Sequence, residues 1–95
     1  MILRKIMYTQ RPGKDFMQWI RDNSQRLRAI DGMRRIEFIR SRENPDLLGC
    51  LMYFNGIKDL EKYKSAGPYM DFVKSLSEYA DPKKVTDEAF DYLEV

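Results

Sequence analysis

The sequence contains no histidine, and that one absence removes a large share of enzyme chemistry. Ser-His and Cys-His nucleophile pairs, the usual proton shuttle near neutral pH and the commonest metal and haem ligand all need an imidazole. Cysteine is nearly missing as well. Cys50 stands alone, so neither an internal disulfide nor a zinc cluster can form. No metal and no cofactor are expected. No apolar run approaches the roughly 20 residues of a membrane span. The N-terminal stretch Met1 to Tyr8 lacks the apolar core and small-residue cleavage site of a secretory signal. A cytoplasmic protein without a membrane partner is the expectation. Any chemistry has to come from Tyr, Trp, Asn, Arg, carboxylates or the substrate itself.

Ninety-five residues allow one small domain, spanning 1–95. Net charge is +2 but unevenly spread. Residues 1–42 carry eleven Lys/Arg against four Asp/Glu, and residues 43–95 carry six against eleven. A basic half raises nucleic acid as a partner. An RNA-binding sheet of this size, however, needs a basic, aromatic-rich central strand. Leu48-Gly49-Cys50-Leu51-Met52 supplies neither feature, so no nucleic acid is expected.

Hydrophobic periodicity sets out the elements. Ile2 to Gln10 reads as a strand with Ile2, Ile6 and Tyr8 on one face and Leu3, Met7 and Thr9 on the other. Arg11-Pro12-Gly13 ends it. From Lys14 to Ile30 the apolar positions Phe16, Trp19, Ile20, Leu27 and Ile30 fall at helical spacing, with Asn23 in the same stripe. Asp31-Gly32 closes that helix, and Met33 to Arg42 forms a second strand. Glu43-Asn44-Pro45-Asp46 turns into a third, Leu47 to Phe54, which is apolar without alternation and so reads as buried on both faces. A second helical region follows Asn55-Gly56, with Ile57, Leu60 and Tyr63 inward. It is interrupted at Gly67-Pro68 and resumes with Phe72, Val73, Leu76 and Tyr79 on one side. Lys83 to Glu88 reads as a polar loop and Ala89 to Val95 as a last strand.

The order β-α-β-β-α-β predicts an α+β, ferredoxin-like sandwich: a four-stranded antiparallel sheet with two helices on one face. In a lone sandwich of this type the other face is polar. Here Leu, Met and Ile occur at both parities, and the bare face would be a sizeable apolar patch. A second copy of the chain closing over it, giving a dimeric α/β barrel, is the expectation. Scattered, harmless surface apolars are the alternative.

Several local motifs then fall into one pattern. They are Pro12-Gly13 before the first helix, Asp31-Gly32-Met33 into the second strand, Tyr53-Phe54-Asn55-Gly56-Ile57-Lys58-Asp59-Leu60 from third strand to second helix, and Tyr63-Lys64-Ser65-Ala66-Gly67-Pro68-Tyr69 at the helix break. In this order and spacing the chain resembles the dimeric α/β-barrel superfamily, most closely its antibiotic biosynthesis monooxygenase-like family. The resemblance implies a homodimer with one pocket per subunit between helices and sheet. It also implies kinship with cofactor-independent oxygenases of aromatic polyketides, quinol oxygenases and haem degraders. Haem degradation is disfavoured. Val73 stands where those enzymes carry a histidine ligand, Phe54 replaces their tryptophan, and no asparagine lies between Ile2 and Gln10.

Candidate site residues follow from these readings. Trp19 and Asn23, one helical turn apart, offer an aromatic wall and an amide to hold a substrate oxygen. Tyr69 and Phe72 follow the helix break, where a lid is loosest. Tyr8, Tyr53, Tyr63 and Tyr69 can each place a hydroxyl on an apolar wall, and Arg34 can clamp an anion. Catalytic roles fall to Asn23, Trp19 and Tyr69, and substrate contacts to Tyr8, Arg34, Tyr53 and Phe72. Each has a structural alternative: Trp19 as core, Asn23 at the stripe's edge, the tyrosines as packing residues, Arg34 as a solvated charge. The functional expectation is cofactor-independent oxidation of a small flat aromatic or quinol-like molecule. The alternative is a non-catalytic dimeric module that binds a small hydrophobic ligand or serves in assembly or regulation.

Overall fold

The computed structural model describes residues 1–93. Strand β1 (Ile2–Thr9) is followed by helix α1 (Phe16–Arg28), β2 (Met33–Arg40), β3 (Leu47–Phe54), α2 (Ile57–Lys64), α3 (Gly67–Leu76) and β4 (Thr86–Asp91). A single 3₁₀ turn at Pro82–Lys84 precedes the last strand. The sheet runs β2-β3-β1-β4 with every neighbour antiparallel. This is the ferredoxin-like α+β arrangement expected from the element order, with the second helical region divided into α2 and α3.

Local chemistry accounts for the boundaries. Asp15 caps α1 by accepting a hydrogen bond from the Gln18 backbone N–H at 3.1 Å, and Arg26 and Arg28 in its last turn suit the helix dipole. Gly32 then adopts φ +96°, a left-handed backbone that side chains disfavour, and turns the chain into β2. Pro68 lies in the first turn of α3, where a missing N–H costs nothing.

Alternation in the strands decides which side chains meet the helices. From β1 these are Arg4, Ile6 and Tyr8, and from β3 Leu48, Cys50, Met52 and Phe54. Phe16, Ile20 and Leu27 of α1, Leu60 and Tyr63 of α2 and Phe72 of α3 close over them. Two residues assigned to the packed helix faces lie outside them. Ile57 is 53% and Val73 45% exposed. Val73 sits roughly 100° around the helix from Phe72, which turns it away from the sheet.

The last strand also differs from its predicted span. It begins at Thr86 rather than Ala89, and Glu94 and Val95 lie outside the described residues. Thr86-Asp87-Glu88 reads as loop because it is polar. An edge strand with all six residues exposed nevertheless needs no apolar alternation, and its ladder with β1 fixes it.

The opposite sheet face carries Leu3 and Met7 of β1, Ile39 of β2, Leu47, Leu51 and Tyr53 of β3 and Phe90 of β4, interspersed with Lys5, Glu37 and Glu88. Gly49 on this face is required by packing. A Cβ there would collide with the Ile6 carbonyl and the Met7 Sδ. Among the described residues no helix is long and apolar enough to cross a membrane.

Candidate functional site

The inward face of β1 contains one charged residue among apolar ones. Arg4 is only 4% exposed. Its Nε and Nη2 donate to the two carboxylate oxygens of Asp87 at 2.9 and 2.7 Å, a bidentate pair across the β1–β4 ladder. Nη1 is buried with no acceptor. The guanidinium lies 5.3 Å from the centroid of the Tyr69 ring. Burial works against its charge, but the hydrogen bond to Asp87 and the neighbouring Tyr69 and Asp87 fields outweigh it and hold the proton more tightly than usual. The same hydrogen bond from Arg4 lowers the Asp87 carboxyl, so the pair is ionised at neutral pH.

The Tyr69 ring lies against Arg4, and Tyr63 lies against Tyr69. Tyr63 of α2 is fully buried, packs edge-on to Phe54 with centroids 5.3 Å apart, and lies 5.0 Å from the Tyr69 ring. Its hydroxyl has no hydrogen-bond partner. Burial raises the phenols of Tyr8, Tyr63 and Tyr69, with Arg4 opposing in each case. Burial likewise pushes the Cys50 thiol up to about 12. These groups are therefore neutral hydrogen-bond donors, and none is a base near neutrality. Arg4 Nη1 and the Tyr63 hydroxyl are the donors in this cluster left without an acceptor.

The structure distributes the sequence-derived site residues over three places. Tyr69 and Tyr8 belong to the Arg4 cluster. Trp19 is stacked between Phe72 and Tyr79, with centroids 4.6 and 4.8 Å away, and touches Phe16 at 5.6 Å. Asn23 donates from Nδ2 to the Trp19 carbonyl at 2.8 Å. With Leu27, Pro68 and Phe72 it lines a cleft of about 60 Å³ between α1 and α3. A benzene-sized cavity is about 150 Å³, so this cleft does not admit a ring. Arg34 and Tyr53 lie on the far side of the sheet, in an open cleft of about 390 Å³ shared with Met1, Arg35 and Tyr92. There the Arg35 guanidinium stacks 4.1 Å from the Tyr53 centroid, and Arg34 Nη1 donates to Asn55 Oδ1 at 3.2 Å.

Arg4 and Asp87 were not singled out from sequence, whereas Tyr63 was, as a hydroxyl on an apolar wall. For Arg4 a signal existed, because a charge at the parity of Ile2, Ile6 and Tyr8 has to be buried and so needs a partner. For Asp87 none existed, since it sits in a polar stretch without periodicity. No group of three or more Cys, Asp or Glu side chains among the described residues is placed to hold a metal ion.

Comparison with known proteins locates the fold. No family model matches the sequence, and no curated protein matches it. Solved structures do. A provisionally named antibiotic biosynthesis monooxygenase from Nitrosomonas europaea superimposes with TM-score 0.83 at 14% identity, covering 99% of this chain and 100% of that one. SnoaB, a cofactor-independent oxygenase from Streptomyces nogalater, gives TM-score 0.82 at 9% identity over 99% and 94%. A conserved protein from Methanosarcina mazei Go1 gives 0.80 at 18% over 94% and 90%. The chain has the monooxygenase-like, ferredoxin-like fold of these proteins.

Proposed function

We propose that this chain is a cytoplasmic, antibiotic biosynthesis monooxygenase-like protein. In this reading it oxidises a small flat aromatic or quinol-like molecule in the layer between helices and sheet, without a cofactor. The observation that carries the reading is Arg4, a buried cation with an unused donor, with the Tyr69 ring against its guanidinium. Its fold is shared with a cofactor-independent oxygenase. Oxygenation of this kind needs a substrate carbanion. Donors held against the substrate oxygen favour ionisation of the neighbouring C–H by taking up the resulting negative charge. For a ring methylene, dioxygen then supplies one atom to the new carbonyl and the other to water. That water takes both methylene hydrogens, and the four electrons come from the substrate. Tyr69 and Tyr8 donate or wall the ring, Phe72 extends the wall, and Trp19 and Asn23 hold α1 against α3 behind it. Arg34 and Tyr53 belong to the opposite face, which a second copy of the chain covers in a homodimer.

Oxygen uptake with a panel of quinols and anthrones tests this reading, with Arg4→Met as the control. Turnover that Arg4→Met abolishes is the expected result. Absence of uptake with every member leaves the second reading, a non-catalytic dimeric module that binds a small hydrophobic ligand or serves in assembly or regulation. The raised phenols and thiol favour that second reading, because none of them takes up a proton near neutrality.

A further inference from the structure

An irregularity in β2 puts two consecutive arginines in one place. In a regular strand, neighbouring side chains point to opposite faces of the sheet. The pairing of β2 with β3 slips between Met33 and Arg35, so that Met33 lies opposite Phe54 and Arg35 opposite Tyr53. Arg34 and Arg35 consequently both line the open cleft of about 390 Å³ on the face away from the helices. Bulges of this kind re-aim side chains and are over-represented next to functional sites.

Neutral groups hold both guanidiniums. Arg34 Nη1 donates to the Asn55 amide oxygen at 3.2 Å. Arg35 lies 4.1 Å from the centroid of the Tyr53 ring, which is itself buried. Tyr92, edge-on to Tyr53 with centroids 6.1 Å apart, forms a further wall, and its backbone N–H donates to the Met1 carbonyl at 2.9 Å. Among the described residues the one carboxylate at ion-pair distance from either arginine is Glu37, an exposed partner 3.5 Å from Arg35. Counting Glu37, the cleft carries a surplus of one positive charge, which a single carboxylate balances.

We infer that the Arg34–Arg35 cleft binds a small aromatic carboxylate. The two guanidiniums take the carboxylate oxygens, and the ring lies on the open face of Arg35 and against Tyr92. There is room for a ring, since a benzene-sized cavity is about 150 Å³. The cleft lies at the end of the sheet where β1 begins and β3 finishes, whereas Met7 and Leu51 stand further along those strands. It therefore opens at the rim of the proposed homodimer. It is separated from Arg4 by the sheet, and it does not depend on the helix–sheet layer being an oxygenase site.

Calorimetric titration of 1-naphthoate and its uncharged counterpart 1-naphthamide into the full chain at pH 7 tests this. Naphthoate is expected to bind at least about fivefold more tightly, as for a charge pair in a partly solvated cleft. Arg34→Gln combined with Arg35→Gln removes that preference and leaves naphthamide within twofold. Both side chains are exposed, so the double variant is expected to fold, which circular dichroism checks. Tyr92→Ala weakens both probes. Equal affinities, no binding of either probe, or affinities unaltered by Tyr92→Ala overturn the inference. A preference that survives the double variant and is lost in Arg4→Met places the anion in the helix–sheet layer, and overturns it too. So does binding seen only with Leu51→Lys, a charge placed to part the two copies, because the partner copy then fills the cleft. Oxygen uptake is read separately and bears only on the oxygenase reading.

Discussion

Arg4 and Asp87, 83 residues apart in the chain, are joined by two hydrogen bonds of 2.9 and 2.7 Å. They are diagonal neighbours across the ladder. The direct partner of Arg4 is Ala89, and that of Asp87 is Ile6. Same-face side chains two residues off the direct pairing lie within reach when one of them is long. The pair therefore ties the exposed edge strand to the buried face of the sheet.

The Arg4–Asp87 pair makes stability depend on acid. The Asp87 carboxyl is lowered in the folded chain, chiefly by its hydrogen bond from Arg4. A depressed carboxyl contributes stability that is complete above its unfolded pKa, roughly 4. That stability is lost as pH falls through the folded value. Asp87→Asn is expected to cost about 1–2 kcal/mol at pH 7, below the buried-pair range because the carboxylate is partly solvated. Urea melts from pH 7 to 3 should show the difference between wild type and variant constant above about pH 5 and shrinking below about pH 4.

Tyr63→Phe tests whether the buried hydroxyl is without a partner. The hydroxyl is buried with no partner, so its removal takes away a desolvated polar atom and leaves the ring contacts with Phe54 and Tyr69 in place. Stability is expected to hold or to rise by up to about 1 kcal/mol. A loss of 2 kcal/mol or more by chemical denaturation, at about twice that limit, means that the hydroxyl has a structural partner.

Gly49 tests the close approach of β1 to β3. Its added Cβ in Gly49→Ala meets the Ile6 backbone carbonyl and the Met7 sulfur. The sulfur can swing aside but the carbonyl cannot, so a loss of about 1–3 kcal/mol is expected. A melting temperature equal to wild type would mean that the two strands sit further apart.

Leu51 reports on the opposite sheet face. It is half-buried, with Lys5 and Glu37 as its direct cross-strand partners. In the proposed homodimer this face is covered, and Leu51→Lys places a charge in the interface. Sedimentation at micromolar concentration is expected to give a dimer for wild type and a monomer for the variant. A monomeric wild type removes the proposed barrel.

The sequence by itself determined the element order, because its signals are local. Pro12-Gly13 and Asp31-Gly32 mark turns, the stripe from Phe16 to Leu27 marks a helix, and the break before Pro68 divides the second helical region. The apolar run from Leu47 to Phe54 announced the third strand for the same reason. The start of β4 was hidden, since an exposed edge strand is held by backbone pairing with β1 and its side chains carry no pattern. Only the tertiary structure decided which aromatics meet. It placed Trp19 in a stack with Phe72 and Tyr79, put Tyr53 with Arg35 on the other side of the sheet, and gave Tyr69 to Arg4. It also brought Asp87 to Arg4 and left two donors unmatched beside one ring. Periodicity states which face of an element is buried, whereas the partner across the interior depends on how distant strands are registered and packed.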